Sequence, residues 1–439
     1  MSEKLKIKGG KALQGTIELR GAKNFVSKAM VASILGNSKS VLENVPAIKD
    51  VEVVSKLLML HGCDVSYNKT KGVLEIDPEN ISSPKIADVD TVVGSSRIPI
   101  LFCGPLVHKL GEAFIPALGG CKIGDRPIDF HLESLRKFGA QIEKKEHGIR
   151  IFAPDGLHGT KINLPYPSVG ATEQTLLTAC IADGVTQLTN AAIEPEIMDL
   201  INVLQKMGAI ISVNTDRVIT IEGVKELRGF THISLPDRAE AASWANAALA
   251  TGGRVQVLGA KQSDMTTFLN IFRKIGGEFD INDNGIEFYH PGGELKSIPI
   301  ETDVHPGFLT DWMQPLVVSL TQAHGLSIVH ETVYENRFGF TNALNKMGAK
   351  IQLYRECLGS VPCRFQQRNF KHSAVISGPT KLRGADIEVP DLRAGFSYLI
   401  AALAAEGESN VSGVDIIERG YESFTEKLEN LGANIELLK

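Results

Sequence analysis

No run of 18 apolar residues occurs in the chain, so no membrane-spanning helix is expected. The opening Met1-Ser2-Glu3-Lys4-Leu5-Lys6 has no apolar stretch, which argues against a secretory signal. Cysteine is scarce. Six residues, Cys63, Cys103, Cys121, Cys180, Cys357 and Cys363, are too few among 439 for a disulfide scaffold. No Cys-x-x-Cys pair exists, so neither a zinc site nor an iron–sulfur site is expected. These absences describe a reduced cytoplasmic protein with structural thiols and one candidate reactive thiol. An excess of positive charge is also missing: Lys and Arg number 46 against 51 Asp and Glu, a net charge of −5. Sequence-independent nucleic-acid binding needs a basic surface and is excluded on that ground. What is present is ordinary for a globular chain, with 43% hydrophobic and 22% charged residues. At roughly 100–200 residues per domain, the length allows two or three domains.

One short phrase recurs six times: an apolar-ended helical stretch, Gly, a small residue, and then an apolar run. It centres on Gly62, Gly139, Gly208, Gly276, Gly348 and Gly432. The intervals are about 70 residues, the last being the longest. Stretches such as Asp199-Leu200-Ile201-Asn202-Val203-Leu204-Gln205-Lys206-Met207 carry apolar residues at helical spacing, with a basic residue in the last turn. The glycine then reads as a left-handed C-cap before a strand. Each unit is therefore strand, loop, helix, strand. A solenoid is one solution, but six long units without polar end caps close more naturally into two lobes of three. The chain would cross near Gly21-Ala22-Lys23 and Leu235-Pro236-Asp237. That gives one lobe over 23–234 and a second built from 1–22 plus 235–439.

Function is expected where equivalent loops differ. Ahead of the glycine, units two, five and six carry Arg126, Arg337 and Arg419, where the others carry Asp50, Glu196 and Asp264. Arginine opening a helix opposes the macrodipole, so these three should meet an anion, from a ligand or a neighbouring carboxylate. The loop Ala117-Leu118-Gly119-Gly120-Cys121-Lys122-Ile123-Gly124-Asp125-Arg126-Pro127 sets a thiol between glycines and cations, a setting that favours reactivity. Gly21-Ala22-Lys23-Asn24 opens a helical pattern and suits phosphate. Gly94-Ser95-Ser96-Arg97 and Ser168-Val169-Gly170-Ala171-Thr172 are further small polar turns. His305-Pro306-Gly307-Phe308-Leu309-Thr310-Asp311-Trp312 places a carboxylate among large apolar groups, where its pKa would rise towards that of a base. A plain helix cap is the other reading of Asp311.

These phrases, together with Glu194-Pro195-Glu196-Ile197, Leu235-Pro236-Asp237-Arg238, Glu331-Thr332-Val333-Tyr334-Glu335-Asn336-Arg337, Asp391-Leu392-Arg393 and Arg419-Gly420-Tyr421-Glu422, resemble the enolpyruvyl transferase family that acts on UDP-N-acetylglucosamine. The resemblance spans essentially the whole chain. It implies an α/β fold: a two-lobed inside-out α/β barrel of six βαβαββ repeats, three per lobe. It also implies transfer of the enolpyruvyl group of phosphoenolpyruvate to the sugar 3′-hydroxyl, with release of phosphate and with no metal or cofactor.

By the same resemblance Cys121 is the proton donor, a role suited to a thiol that stays mostly protonated at a pKa of about 8.5. Asp311 is the candidate base. Lys23, Asn24, Arg126, Arg393 and Arg419 match the groups around phosphoenolpyruvate. Arg97, Arg126, Pro127, Ile128, Asp129, Phe130, Tyr166, Pro167, Ser168, Val169, Asp311 and Val333 match nucleotide-sugar contacts. Three departures stand out. Pro167 stands where the family often has a basic residue, and Ile193 where it has Arg. The stretch 355–372, with Cys357 and Cys363, looks like an expanded connection and reads as a surface hairpin, though its cations would also suit a partner or the nucleotide. The shikimate-pathway enolpyruvyl transferases share the fold and the donor but lack the Cys121 loop. A catalytically silent nucleotide-sugar-binding paralogue is the rival of a different class.

Overall fold

The computed structural model describes residues 4–438, apart from 94–96, 117–127, 362 and 364–368, and only the backbone of 86, 90, 93 and 392. Cys121, Arg126 and Pro127 therefore lie outside the described residues. The described chain divides into two compact units, residues 4–20 with 236–438 and residues 21–235.

The six glycines set the local geometry. All have positive φ, between +77° and +110°. Each donates its N–H to the carbonyl three residues back, and the next residue donates to the carbonyl five back. Gly139 to Arg136 (3.0 Å) with Ala140 to Leu135 (3.1 Å), and Gly432 to Glu429 (2.8 Å) with Ala433 to Leu428 (2.9 Å), show the pattern. A β-carbon resists that left-handed backbone, so glycine ends the helix and fixes the exit angle. A strand then starts two residues after every one of them: Asp64–Asn68, Gln141–Lys145, Ile210–Asn214, Glu278–Asn282, Lys350–Tyr354 and Asn434–Leu438.

One repeat shows the plan. Strand Pro299–Glu301 is followed by helix Thr310–Leu320, strand Gly325–His330, helix Thr341–Lys346, and strands Lys350–Tyr354 and Ser373–Gly378. Ile300 pairs with Val329 in parallel, and Ile328 with Val375 and Val375 with Gln352 antiparallel. Five described sheets have this four-stranded order; the sixth has three strands, Glu112–Pro116, Gly148–Phe152 and Gln141–Lys145. No described strand pairing joins one sheet to the next. The chain's beginning completes later repeats: Lys4–Lys8 lies between Glu408–Ser412 and Asn434–Leu438, and Gln14–Glu18 runs parallel to Arg254–Leu258. Likewise Thr231–Ile233 runs parallel to Ser40–Glu43.

Two of the helices that open repeats, Arg238–Thr251 and Thr310–Leu320, are buried on nearly all sides. Arg238 to Leu249 are all buried along helix Arg238–Thr251, the signature of a helix enclosed by other elements. It packs on both Thr310–Leu320 and Leu392–Ala404, which also pack on each other. A first and a third repeat in contact rule out a linear solenoid for this unit, because a solenoid repeat touches only its neighbours. Trp244 and Trp312 are enclosed there. Truncating either would cost about 3–5 kcal/mol. The second unit has its own core around helices Lys23–Ala32, Cys103–Leu110 and Val169–Ala179. The thiols of Cys63 and Cys180 are buried in that core, which pushes them up to about 11 and about 12, so both are inert.

Candidate functional site

In the unit containing 236–438, the site grows from the starts of two buried helices. Asp391 caps Leu392–Ala404, accepting from Arg393 N (2.9 Å) and Ala394 N (3.0 Å). This fixes Arg393 in the first turn, the dipole-opposed position that suits a cation only beside an anion. The anion is Asp311, in the first turn of Thr310–Leu320. Arg393 Nη1 lies 2.7 Å from Oδ1 and 2.8 Å from Oδ2. Arg337 Nη2 donates to the same Oδ1 at 2.7 Å and to Thr310 O at 3.2 Å. Arg337 has no exposed side-chain surface, Asp311 has 8% and Arg393 19%. The Tyr334 ring lies 5.4 Å from the Arg337 guanidinium and 5.6 Å from that of Arg393.

Glu331 shapes the loop that carries Val333. Its Oε1 accepts from Val333 N (2.7 Å) and Tyr334 N (2.9 Å), and its Oε2 accepts from Thr310 Oγ1 (2.7 Å). Complete burial pushes its carboxyl up, against the pull of Arg337 and of these hydrogen bonds. The apolar setting expected for Asp311 is thus replaced by a double ion pair. It is not a helix cap either, because Leu309 occupies that position. Arg337 meets a neighbouring carboxylate, one of the two anions expected for it. Neither Arg337 nor Arg419 opens a helix, however. Helix Thr341–Lys346 begins after Arg337, and Arg419 is the C-cap of Val414–Glu418, where a cation suits the dipole.

In the unit of residues 21–235, Lys23 is the first residue of helix Lys23–Ala32, whose N-terminus has no side-chain cap and no acidic residue. Lys23 and Asn24 are half-buried there. A second cluster forms around His131. Its ring is buried and held at about 4, first by burial and also by Arg97, with Gln174 and Asp129 opposing. Gly170 lies against it, since a β-carbon there would sit 2.8 Å from His131 Nε2. His131 thereby ties Arg97, the start of helix Asp129–Lys137, and the Ser168-capped helix Val169–Ala179 into one place. Ile128, Phe130, Tyr166, Pro167, Ser168 and Val169 are half-buried along the same segments. His131, Tyr334 and Glu331 received no role from the sequence, and Arg337 received only that of a cation meeting an anion. The position of Arg337 in the fifth loop was the available signal, and His131 gave none beyond adjoining Phe130.

The comparisons with known proteins agree over the chain's length. The family model described as EPSP synthase (3-phosphoshikimate 1-carboxyvinyltransferase) matches residues 7–428. A protein of Protochlamydia amoebophila named UDP-N-acetylglucosamine 1-carboxyvinyltransferase is 49% identical over 440 residues, covering 99% of this chain and 94% of its own. One of the same name from Chlamydia abortus is 45% identical over 432 residues, covering 98% and 97%. The crystal structure of the enolpyruvyl transferase NikO from Streptomyces tendae superposes with a TM-score of 0.87 at 21% identity, covering 100% of this chain and 99% of that one, which establishes the fold. A family model matched almost from end to end, with relatives this similar over nearly their own full length, shows that the chain belongs to the enolpyruvyl transferase family, beside the UDP-N-acetylglucosamine 1-carboxyvinyltransferases.

Proposed function

We propose that the chain transfers the enolpyruvyl group of phosphoenolpyruvate to the 3′-hydroxyl of UDP-N-acetylglucosamine, an early step of peptidoglycan precursor synthesis. The observation that carries this reading is near full-length similarity to proteins named for that transfer. In the addition step a proton joins the donor's methylene carbon and the sugar oxygen bonds to the adjacent carbon, its own proton going to a base. In the elimination step the new methyl group loses a proton, the double bond re-forms, and phosphate leaves with the electron pair of its bond to carbon.

The ion-pair network supports particular roles. Asp311 is the base for the sugar hydroxyl. Arg393 binds the donor, because a forked guanidinium matches carboxylate and phosphate alike. Phosphoenolpyruvate then competes with Asp311 for Arg393. Donor binding draws Arg393 away, leaving Oδ2 for the hydroxyl while Arg337 keeps Oδ1 in place. Lys23, Arg126 and Arg419 complete the donor's cationic surroundings, and Asn24 meets the donor beside Lys23. Arg97, Pro127, Ile128, Asp129, Phe130, Tyr166, Pro167, Ser168, Val169 and Val333 meet the nucleotide sugar. Cys121 protonates the methylene carbon.

The test is phosphate release from phosphoenolpyruvate, with UDP-N-acetylglucosamine and shikimate 3-phosphate offered separately. Release with the nucleotide sugar alone is expected; release with shikimate 3-phosphate alone would overturn the assignment. Cys121→Ser should lower turnover about 100-fold or more, the usual contribution of a positioned acid, while nucleotide-sugar binding persists in calorimetry. Unchanged turnover would remove Cys121 from the acid role.

A further inference from the structure

Five of the six repeats follow their glycine strand with a tight return or a strand borrowed from elsewhere in the chain. The fifth does not. Between Lys350–Tyr354 and Ser373–Gly378 the chain makes a long excursion without regular structure among its described residues. A long irregular connection inside a compact fold needs something to hold it. This one returns two cysteines and a histidine to the end of the adjoining strand, where His330 stands.

We propose that His330, Cys357, Cys363 and His372 bind one zinc-class divalent cation as a closed structural site. Their candidate ligand atoms all lie within 4.8 Å of one another. A tetrahedral zinc shell, with bonds near 2.3 Å to sulfur and 2.0–2.1 Å to nitrogen, separates its ligands by about 3.3–3.8 Å. Cys357 Sγ and His372 Nε2 are already 3.3 Å apart. A small contraction of the rest completes the shell.

Both imidazoles are set to present Nε2. His372 Nδ1 lies 2.9 Å from Phe370 O and His330 Nδ1 lies 3.1 Å from Glu301 Oε2. An acceptor at Nδ1 places the proton there and leaves a lone pair on Nε2. His330 is fully buried, and its Nε2 has no hydrogen-bond partner among the described residues. Buried polar atoms are nearly always satisfied, and a cation in this cluster satisfies this one.

The surroundings are built to the same end. Glu301, which orients His330, also accepts from Ser360 N (2.8 Å), Ser360 Oγ (2.9 Å) and Val361 N (2.7 Å), all in the segment between the two cysteines. Carboxylate, imidazole and metal in line are a common outer-shell arrangement. Gly359 lies so close that a β-carbon would come within 2.2 Å of Glu301 Oε2 and 2.5 Å of His330 Nδ1. Leu358 N donates to Ser373 Oγ (3.2 Å), which in turn donates to Glu356 O (2.7 Å).

Two thiolates and two imidazoles select zinc over harder cations, and four protein ligands leave no open position for catalysis. The role is therefore to clip the excursion to the strand end. Glu331 follows His330 directly and holds the Val333 loop, so the clip also steadies the segment that carries Arg337. The absence of a Cys-x-x-Cys pair argues against zinc at the level of sequence. The ligands are instead spaced along the excursion, with the fourth drawn from the preceding strand.

The test is the metal content of the full-length protein after growth with added zinc and exhaustive dialysis, measured by mass spectrometry without substrate. One zinc per chain is expected. Cys357→Ser with Cys363→Ser should retain none, and a chelator should lower the melting temperature of the parent but not of that double variant. If the double variant fails to fold, cobalt(II)-loaded parent protein decides the matter. Thiolate-to-cobalt charge transfer with the strong visible bands of a tetrahedral ion supports the site. Weak octahedral bands, no retained zinc, or a Cys357–Cys363 disulfide in freshly isolated protein would overturn it.

Discussion

Asp311 and Glu173 both lie on a buried helix, one in each unit, and their surroundings have opposite charge balance. Asp311 is flanked by two guanidiniums at hydrogen-bond distance. Among the described residues Glu173 has one ammonium beside it, Lys28 at 3.8 Å, and feels two further carboxylates, Glu194 and Glu196. Burial, with those two carboxylates adding to it and Lys28 opposing, pushes Glu173 up to about 7. Buried helices of the same length in the repeated architecture thus carry carboxylates in unlike electrostatic settings. The backbone plan is set by glycine caps and apolar periodicity. The charges are set by contacts that each repeat makes separately, and the candidate chemistry follows the charges.

The largest effect should come from breaking the paired side of this contrast. Arg337→Met removes one of the two guanidiniums described beside Asp311 and is expected to cost about 3–5 kcal/mol, the usual loss when one partner of a buried pair is removed. Urea unfolding with an unchanged slope would measure it. Adding Asp311→Leu should return part of that loss, because an apolar pair carries no desolvation penalty. A single variant within 1 kcal/mol of the parent would show that Arg337 is not the structural partner of Asp311.

Arg393→Lys should be milder for stability and sharper for function. The ammonium keeps the charge but not the fork. A loss of about 1.5–3 kcal/mol in donor binding, the range for charge-assisted hydrogen bonds, predicts a roughly 10- to 150-fold higher KM for phosphoenolpyruvate. The KM for the nucleotide sugar should change little. Equal changes in both would make Arg393 a general scaffold residue rather than a donor ligand.

What the sequence disclosed follows from the range of the interactions. The six glycines announce themselves because the helix C-cap is closed within six residues, and every one has the expected backbone. Arg393 and Asp311 stood out through motif likeness, but their direct contact, 82 residues apart in the chain, had no local trace. Arg337 reaches Asp311 across 26 residues, and His131 acquires its setting from Gly170 and Gln174 on another helix. The Cys357 and Cys363 thiols were visible as part of an expansion. That they face His330 became evident only when the sheet Gly325–His330 with Ser373–Gly378 was formed.

The smallest expected effect sharpens the other side of the contrast. A folded-state pKa raised to about 7 means that Glu173 binds a proton more tightly in the folded chain than in the unfolded one. Its protonation therefore stabilises the fold at pH values below the ordinary carboxyl range, and that contribution is lost as pH rises through about 7. Glu173→Gln mimics the protonated carboxyl at every pH, with only the Lys28 contact given up. The parent should therefore lose stability between pH 5 and 8 relative to this variant, by about 1–3 kcal/mol across the window. Melting temperatures of both proteins at each pH would show the curves diverging as pH rises. Parallel curves would mean that Glu173 stays ionised throughout, with Lys28 outweighing burial and the two neighbouring carboxylates. The two buried carboxylates would then differ in the number of their partners but not in their charge.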